Sequence, residues 1–575
     1  MIALYRNLKP FRLSIALVIV SMLGAIIMEL FLPTLMAELV DVGIVNQDMG
    51  YIVKTGAWML VCALLSMILT VFVAYQTSKI AHGFSRDVRR KLFVHVEGMS
   101  LQEYDRFGTA SLITRTTNDI RQVQDVTAMI LGMMLRAPMM LIGGIILAVS
   151  RDATLSMIFL GSLPVLALLI LLISRKAIPL FGMLQKKTDR LNLLLRESLT
   201  GMRVVRAFNR VNYERSRFNE ANEDYRDTAI KVNKLMAYLF PIMIIVMSFT
   251  NIAIVWFGGI RIDQGVMQVG NLMAFLQYAM MILFSLIMMS MAFVMIPRAQ
   301  ASARRINEVL QLETSIKEPA TPEKAAGKGG VLEFNDVTFR YAGAEKPAIH
   351  GVSFQAMPGQ TTAIIGSTGA GKSTLLRLIP RFYDAEEGSI RVDGVDVKEM
   401  SLKELRMRIG YVPQKAALFR GTIQDNVKFG NGELSEAEVL AALESAQALE
   451  FVQEKEGGLE SEVSGAGGNL SGGQKQRLSI ARALARKPDI YLFDDSFSAL
   501  DYRTDANLRK ALKKITGDAT ILIVAQRVST VMDADQIIVL HDGGIAGIGT
   551  HEELLANNEI YGEIVRSQLS EEESA

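Results

Sequence analysis

Six long apolar segments before residue 300 constrain the fold of this 575-residue chain more than any other feature of its sequence. Each approaches the roughly 20 residues that an α-helix needs in order to cross the hydrocarbon core of a bilayer. Half of all residues are hydrophobic, as in membrane proteins. The segments lie near residues 13–37, 56–78, 127–149, 153–174, 236–260 and 272–297. The sequence therefore predicts an all-α membrane domain of six transmembrane helices, with both chain termini on the same side.

The distribution of basic residues indicates which side that is. Residues 79–121 contain eight Lys and Arg, and residues 175–234 contain fourteen more. The short loops on the opposite side contain little beyond Lys54, Arg151 and Arg261. Because cytoplasmic loops carry the excess of positive charge, we expect the two long stretches, both termini and everything after residue 312 to be cytoplasmic. The long stretches have few helix breakers, which predicts helical extensions of the membrane domain.

The segment 366–374, Gly-Ser-Thr-Gly-Ala-Gly-Lys-Ser-Thr, fits the phosphate-binding pattern G-x-x-x-x-G-K-[ST]. It follows a strand-like run and precedes a helix-like one, so its backbone N–H groups and the helix dipole can both face phosphate. Lys372 is expected to reach the β- and γ-phosphates of a nucleotide, and the Ser373 hydroxyl to bind Mg²⁺. The other nucleotide-binding residues predicted here are Gly366, Ser367, Thr368, Gly369, Ala370, Gly371 and Thr374.

A second apolar run ends in two adjacent aspartates, Asp494 and Asp495. Asp494 is expected to hold Mg²⁺ at the nucleotide. Asp495 occupies the position at which an ATPase of this type places the carboxylate that orients the attacking water. Aspartate is one methylene shorter than glutamate, and a misplacement of about 1 Å can cost on the order of 100-fold in rate. The sequence thus predicts an ATP site whose own hydrolytic residue is weak.

A further motif at residues 470–474 makes residues 331–570 resemble the nucleotide-binding domain of an ABC (ATP-binding cassette) transporter. Its serine and two glycines at a helix start form a second concavity for an anion. The resemblance implies that two such domains pair head to tail, and that each signature motif closes over the ATP of the other subunit. The predicted nucleotide-binding residues of this motif are Leu470, Ser471, Gly472, Gly473 and Gln474.

Three further positions match the family one by one. Tyr341 lies where an aromatic ring stacks on adenine, although a tyrosine at a strand end has the same appearance. Gln414, in Tyr-Val-Pro-Gln, matches the loop that touches Mg²⁺ and the membrane domain. Asp501 closes Ser-Ala-Leu-Asp, which resembles the D-loop. The resemblance therefore implies roles for Tyr341 and Asp501 in nucleotide binding, and for Gln414 in catalysis and at the metal.

The resemblance extends over the whole chain, which is similar to a type IV ABC exporter. Residues 103–119 resemble the first coupling region of that family, and residues 201–210 the approach to the second, although solvated helical hairpins would have the same appearance. The resemblance implies that such short helices carry ATPase motion to the membrane part. The fold expected is a six-helix membrane domain with long cytoplasmic extensions, followed by an α/β ATPase domain with a phosphate-binding loop. The expected boundaries are a membrane domain at 1–312, a linker at 313–330 and an ATPase domain at 331–575.

Two positions depart from the family pattern, and both belong to one ATP site. The first is Asp495 and the second is Gln526, where the family has a histidine that contacts the γ-phosphate. Glutamine is neutral at every pH and cannot act as a protonatable switch. The signature motif, which would serve the other site, is intact. The pattern predicts the degenerate half of a heterodimeric exporter, with catalytic positions Asp495, Gln526 and Gln414, substrate ATP with Mg²⁺, and a homologous half as partner.

The cargo is less constrained than the ATP site. The chain has 61 Lys and Arg against 59 Asp and Glu, so it lacks the charge expected of a nucleic-acid-binding protein. Of its 31 methionines, 27 precede residue 300, which suits either a cavity for varied apolar ligands or ordinary lipid-facing and core packing. Glu29 lies inside an apolar segment and is interpreted as a site for cationic compounds, as part of a structural pair, or as a residue near the outer membrane interface; Arg136 is interpreted as structural.

The most complete interpretation is an ATPase subunit that exports hydrophobic or amphipathic compounds, drugs included, across a bacterial plasma membrane. Two alternatives remain from the sequence. An ATP-gated channel or regulatory subunit would also use a slow ATP site, and a lipid flippase would use the same fold. Cys62 is the only cysteine, which excludes an internal disulfide.

Overall fold

The computed structural model of the protein describes residues 1–290, 292–325, 327, 329–515 and 517–572. These residues form two compact units. The first contains Met1–Glu97 and Gly108–Leu312, and the second contains Gly98–Phe107 and the chain from Glu313 onward. The short segment Gly98–Phe107 therefore belongs with the second unit, although along the chain it comes between two helices of the first.

The first unit consists of helices, and six of its helical runs are long and apolar enough to cross a membrane. They are named span 1 to span 6 and comprise Ala3–Ile44, Met49–Glu97, Thr109–Arg151, Ala153–Thr200, Val211–Asp263 and Val269–Met289. The short helix Met202–Ala207 joins spans 4 and 5, and the helix Ala292–Leu310 follows span 6. The predicted six-helix membrane fold is confirmed; Met291, in the sixth predicted segment, lies outside the described residues.

Spans 2 to 5 are much longer than a bilayer requires. They contain 49, 43, 48 and 53 residues, whereas roughly 20 residues cross the hydrocarbon core. The apolar segments occupy only part of each helix, and the basic stretches occupy most of the rest. At 1.5 Å per residue the surplus amounts to roughly 30 Å or more of helix outside the bilayer core.

Polar side chains join the spans inside the first unit. The Tyr278 hydroxyl is fully buried, donates to the Leu30 carbonyl oxygen at 3.1 Å and lies 2.7 Å from Thr34 Oγ1. Glu29 on span 1 forms an ion pair with Arg136 on span 3, with 2.5 Å between Glu29 Oε2 and Arg136 Nη2. Of the three interpretations of Glu29, the structural pair is thus the one for which the structure supplies a partner.

The described residues of the second unit form twelve strands in three sheets. The strands are β1 Leu332–Phe339, β2 Ile349–Ala356, β3 Thr361–Gly366, β4 Glu387–Val392, β5 Val395–Asp396, β6 Ile409–Val412, β7 Gly421–Thr422, β8 Glu462–Val463, β9 Ile490–Asp494, β10 Thr520–Val524, β11 Gln536–His541 and β12 Gly544–Gly549. The largest sheet has the order β12-β11-β3-β10-β9-β6, and all its pairings are parallel except that of β12 with β11. A four-stranded antiparallel sheet has the order β2-β1-β4-β5, and β7 pairs with β8.

Apolar cores that contain helical residues lie on both faces of the six-stranded sheet. The helices described in the second unit are Leu101–Phe107, Lys372–Leu378, Leu402–Met407, Ile423–Lys428, Glu436–Ser445, Leu449–Gln453, Gly472–Ala485, Tyr502–Ile515, Val528–Val531, His551–Asn557 and Glu559–Glu572. Alternate residues of a strand face opposite sides of a sheet. Accordingly Ile365 of β3 belongs to one apolar core and its neighbour Ile364 to the other.

The two cores place the nucleotide motifs on opposite faces of that sheet. Leu478 and Leu484 of the helix Gly472–Ala485 pack into the core that contains Ile365. Leu375 and Leu376 of the helix Lys372–Leu378 pack into the core that contains Ile364. The predicted α/β ATPase fold is confirmed, and the helix after the phosphate loop is separated from the signature helix by the sheet.

Candidate functional site

The phosphate loop connects the end of β3 to the helix Lys372–Leu378. Gly369 and Gly371 have φ values of +87° and +95°, in the left-handed region that glycine adopts without strain. The Lys372 ammonium group donates to the carbonyl oxygens of Gly366 and Ser367 at 2.7 and 2.8 Å. Burial lowers the pKa of Lys372, while the carboxylates of Asp494 and Asp495 act in the opposite direction. The loop thus closes around its own lysine, leaving Ser367, Thr368 and Gly369 exposed.

Ser373 and Asp494 meet where the helix begins and β9 ends. The Ser373 hydroxyl donates to Asp494 Oδ1 at 2.6 Å, and the Tyr411 hydroxyl donates to Asp494 Oδ2 at 3.4 Å. Asp494 is buried, and burial together with this carboxylate raises the pKa of Tyr411 to about 12. A hydroxyl beside a carboxylate fits Mg²⁺, which takes hard oxygen ligands and keeps most of its sites for water and substrate phosphates.

The three residues predicted to be catalytic converge on one oxygen atom. Asp495 Oδ2 accepts from Gln414 Nε2 at 3.0 Å and from Gln526 Nε2 at 2.7 Å. Asp495 has a φ of +47°, a conformation that aspartate tolerates better than most residues. Burial and the neighbouring Asp494 raise the pKa of Asp495, although the hydrogen bond from Gln414 favours its charged form. The carboxylate is therefore held between two amide groups.

One residue that contacts the backbone next to Gln526 could not be identified from the sequence. Gln568, in the C-terminal helix Glu559–Glu572, accepts from the Val528 backbone N–H through Oε1 and donates to the Gln526 carbonyl oxygen through Nε2, both at 2.7 Å. Its side chain thereby fixes the backbone on either side of Arg527. Tyr411 was also missed, although its place three residues before Gln414 on a strand could have suggested it.

Tyr341 lies beside the phosphate loop, within an aromatic cluster. Its hydroxyl is 3.0 Å from Thr374 Oγ1, and its ring packs edge-on against Phe339 and Tyr383. The Tyr383 hydroxyl donates to Asp105 Oδ2 at 3.0 Å, and burial with this carboxylate raises the pKa of Tyr383. The cluster therefore connects the loop with the segment Gly98–Phe107, part of the predicted first coupling region.

The signature motif begins the helix Gly472–Ala485. The Ser471 hydroxyl accepts from the Gln474 N–H at 3.3 Å, and Gln474 Oε1 accepts from the Ser471 N–H at 3.0 Å. Leu470 is buried. A side chain added at Gly472 would meet nothing within 4 Å, whereas one at Gly473 would lie 3.3 Å from the Ala499 carbonyl oxygen. Gln474, predicted to bind nucleotide, here uses its side-chain oxygen to cap the helix.

The predicted site residues thus fall into two groups. Among the described residues, no hydrogen bond joins the signature side chains to Lys372, Ser373 or Asp494. Asp501 follows the second aspartate by six positions and caps the next helix, accepting from Thr504 N–H at 2.9 Å and Thr504 Oγ1 at 2.7 Å. The structure therefore brings together the phosphate loop, Asp494, Asp495, Gln414 and Gln526, and leaves the signature motif apart.

Comparison with protein families identifies two regions. Residues 15–313 match the ABC transporter transmembrane region, and residues 349–498 match the ABC transporter ATPase family. An uncharacterised ABC transporter ATP-binding protein of Mycobacterium tuberculosis is 42% identical over 569 residues, which are 98% of this chain and 97% of the relative. The ATP-dependent lipid A-core flippase of Desulfotalea psychrophila is 30% identical over 96% of each chain.

Among solved structures, a bacterial Atm1-family ABC exporter with ATP bound has a similar fold. The TM-score is 0.80, the alignment covers 98% of each chain and the sequence identity is 24%. The similarity therefore extends over both units of the molecule rather than over the ATPase alone.

Proposed function

Because this chain belongs to the ABC transporter family, with a membrane domain and an ATPase domain in one polypeptide, we propose that it is one half of a heterodimeric exporter of hydrophobic or amphipathic compounds. As a member of this family it is a multi-pass membrane protein that uses ATP for transport. In the proposed complex its own ATP site turns over slowly, and its signature motif completes a fast site on a homologous partner.

The observation that carries this proposal is the arrangement at Asp495. A carboxylate that orients an attacking water must reach the γ-phosphate, yet this shorter side chain is held by two glutamine amides on one oxygen. One of these amides, Gln526, replaces a protonatable histidine of the family pattern. A neutral amide cannot gain the positive charge that would stabilise the transition state. Both departures therefore weaken the same step at the same site.

The remaining residues are proposed to bind rather than to cleave. The loop Gly366–Thr374 holds the phosphates, and Tyr341 stacks on the adenine. Ser373, Asp494 and Gln414 hold Mg²⁺, which neutralises charge on the β- and γ-phosphates when bound. Each of these residues already has a side-chain contact in the second unit: Tyr341 with Thr374, Lys372 with the loop backbone, Ser373 with Asp494, and Gln414 with Asp495.

We further propose domain boundaries at residues 312 and 330, with the linker between them. Both termini and the ATPase are proposed to lie in the cytoplasm, on the side of the basic helical extensions. Relatives from Mycobacterium and Desulfotalea favour a bacterial plasma membrane. In this arrangement the Tyr383–Asp105 hydrogen bond would connect the nucleotide site with the first coupling region.

Lipid flipping is the second candidate, because a relative that covers almost the whole chain is a lipid A-core flippase. The two candidates differ in what stimulates ATP hydrolysis. A flippase should respond to the headgroup of the lipid supplied, whereas a drug exporter should respond to amphipathic compounds in a bilayer of constant composition.

Purification of the chain alone and with its partner half tests the proposal. The chain alone should bind ATP and hydrolyse it very slowly, since a homodimer would contain two Asp495/Gln526 sites. The complex should hydrolyse ATP rapidly, and Lys372→Ala in the isolated chain should abolish nucleotide binding as a control. ATP hydrolysis by the chain alone at the rate of the complex would contradict the heterodimer.

A further inference from the structure

A basic cavity in the first unit is not explained by transport or ATP hydrolysis. It has a volume of about 700 Å³ and lies between the N-terminal segment and the part of span 2 beyond its apolar stretch. Arg6 and Lys9 line one wall, and Arg90 and Lys91 line the other. Asp87 is the one acidic residue in the lining.

The charges around this cavity are not balanced within the described part of the chain. The carboxylate of Asp87 pairs with Arg86, outside the lining, at 2.8 Å. Lys91 Nζ donates to the neutral Asn7 side chain at 2.5 Å. No ion pair is formed there by Arg6, Lys9 or Arg90. Four cations therefore face one space that lacks a free carboxylate, so an anion entering it would be attracted and would relieve their mutual repulsion.

Packing fixes the two walls relative to each other. Leu4 is buried, its carbonyl oxygen accepts from Asn7 Nδ2 at 3.0 Å, and the ring of Tyr5 lies 5.9 Å from that of Phe84. The cavity is thus a feature of folded structure and not a gap beside a loose terminus. The tendency of cytoplasmic loops to be basic explains positive charge in these segments. It does not explain why cations from two separate segments line one cavity.

The position of the cavity indicates the source of the anion. Phe11 packs on Gly83, so closely that a side chain at Gly83 would meet the phenyl ring. The apolar segment 13–37 begins two residues after Phe11, and the apolar segment 56–78 ends five residues before Gly83. Helical side chains lean toward the N-terminus of their helix, which in span 2 is the side of the apolar stretch. We therefore expect Arg90 and Lys91 to lean along span 2 toward that stretch.

We propose that this cavity binds the phosphate group of an anionic phospholipid in the leaflet next to the ATPase. Arginine recognises phosphate through paired N–H donors, and lysine adds a point charge. Basic pockets on the cytoplasmic side of membrane helices are suited to such headgroups. The choice of leaflet rests on the proposed topology, and lipid binding at this cavity requires neither the partner half nor the cargo.

The test uses the full-length chain in nanodiscs that contain equal amounts of phosphatidylglycerol and phosphatidylcholine, with retained lipids counted by native mass spectrometry. The variant Arg6→Gln/Arg90→Gln removes one cation from each wall. The matched control, Arg12→Gln/Lys79→Gln, removes two exposed cations from the same two segments but outside the lining. ATP binding by each variant shows that the protein is folded.

The wild type should retain phosphatidylglycerol in preference to phosphatidylcholine. The lining variant should weaken this preference at least about tenfold more than the control does, because it loses two charge-assisted hydrogen bonds to one phosphate, whereas the control loses only the general attraction of cations near the membrane surface. Arg6→Lys/Arg90→Lys should retain it. Equal losses in the lining and control variants, or no loss in the lining variant, would overturn the proposal. Displacement of the bound lipid by millimolar inorganic phosphate would also overturn it, because the site would then serve a soluble anion.

Discussion

The residues around the phosphate loop and the residues of the signature motif differ in the hydrogen bonds that they make within one chain. Ser373 and Asp495 each have hydrogen-bond partners from other motifs of the site, and Lys372 donates to the backbone of its own loop. Ser471 bonds to the start of its own helix, and Gly472 faces open space. The sheet separates the helices that begin at these two motifs.

This difference explains how one chain can bind ATP and still lack a complete site. The phosphate loop and its carboxylates are connected before any ligand arrives, and we expect them to hold ATP without a partner. The signature motif offers N–H groups at the start of a helix that packs on the other face of the sheet from the helix after the phosphate loop. In the proposed heterodimer these N–H groups would face the ATP of the partner half. The comparison therefore predicts different consequences for mutations on the two sides.

The largest expected effect concerns the signature motif in the heterodimer. Ser471→Ala and Gly472→Asp should each lower steady-state ATP hydrolysis by roughly 100- to 1,000-fold, because preorganised donors to a phosphoryl group are lost or opposed. Asp495→Asn should lower it less than about tenfold, since the slow site contributes little to turnover. ATPase assays of the purified complexes measure this order.

A capping control separates catalysis from folding in this experiment. Ser435 begins the helix Glu436–Ser445 with the same capping box as Ser471. Ser435→Ala should therefore cost about 1 kcal/mol of stability, as Ser471→Ala does, with near-normal turnover. If Asp495→Asn abolished turnover while both signature variants remained active, Asp495 would be a competent catalytic residue.

A smaller effect is expected from Gln568, which holds the backbone around Gln526. Gln568→Leu removes two hydrogen bonds of about 1 kcal/mol each, so ATP affinity of this chain should fall by up to about 30-fold. Gln568→Glu keeps the acceptor for Val528 N–H and should lie between wild type and Gln568→Leu. Nucleotide titrations measure the effect. Glu563→Gln, an exposed change on the same helix, is the control, and equal affinity of Gln568→Leu and this control would refute the role.

These cases show which features could be predicted from the sequence. The six membrane helices follow from the length of apolar runs, and the phosphate loop follows from a short pattern with its own strand and helix. The contact between Gln568 and Gln526 joins residues 42 positions apart, and the pair Glu29–Arg136 joins residues 107 apart. Such contacts depend on how helices pack, which no local pattern records.

The ion pair with Arg136 changes the expected outcome of a substitution at Glu29. A free carboxylate facing cargo would make Glu29→Gln selective against cationic compounds. With Arg136 as its partner, we expect equal loss of stimulated ATPase for cationic and neutral compounds and a stability loss of about 1–3 kcal/mol. Thermal unfolding of the complex and ATPase assays with both compound classes measure this. Arg136→Gln should have a similar effect, and the double variant should recover part of the stability.

Such recovery would identify the pair as structural. A loss confined to cationic compounds, with normal thermal stability, would instead show that Glu29 contacts cargo.

The most direct test of the slow-site account is the turnover of the isolated chain with both departures reversed. Asp495→Glu/Gln526→His restores the longer carboxylate and the protonatable side chain, while the signature motif is already intact in each copy. If these two residues make the site slow, steady-state ATP hydrolysis should rise on the order of 100-fold over the isolated wild type. Adding Lys372→Ala should abolish this rise. An isolated wild type that already turns over as fast as this double variant would contradict the slow-site account.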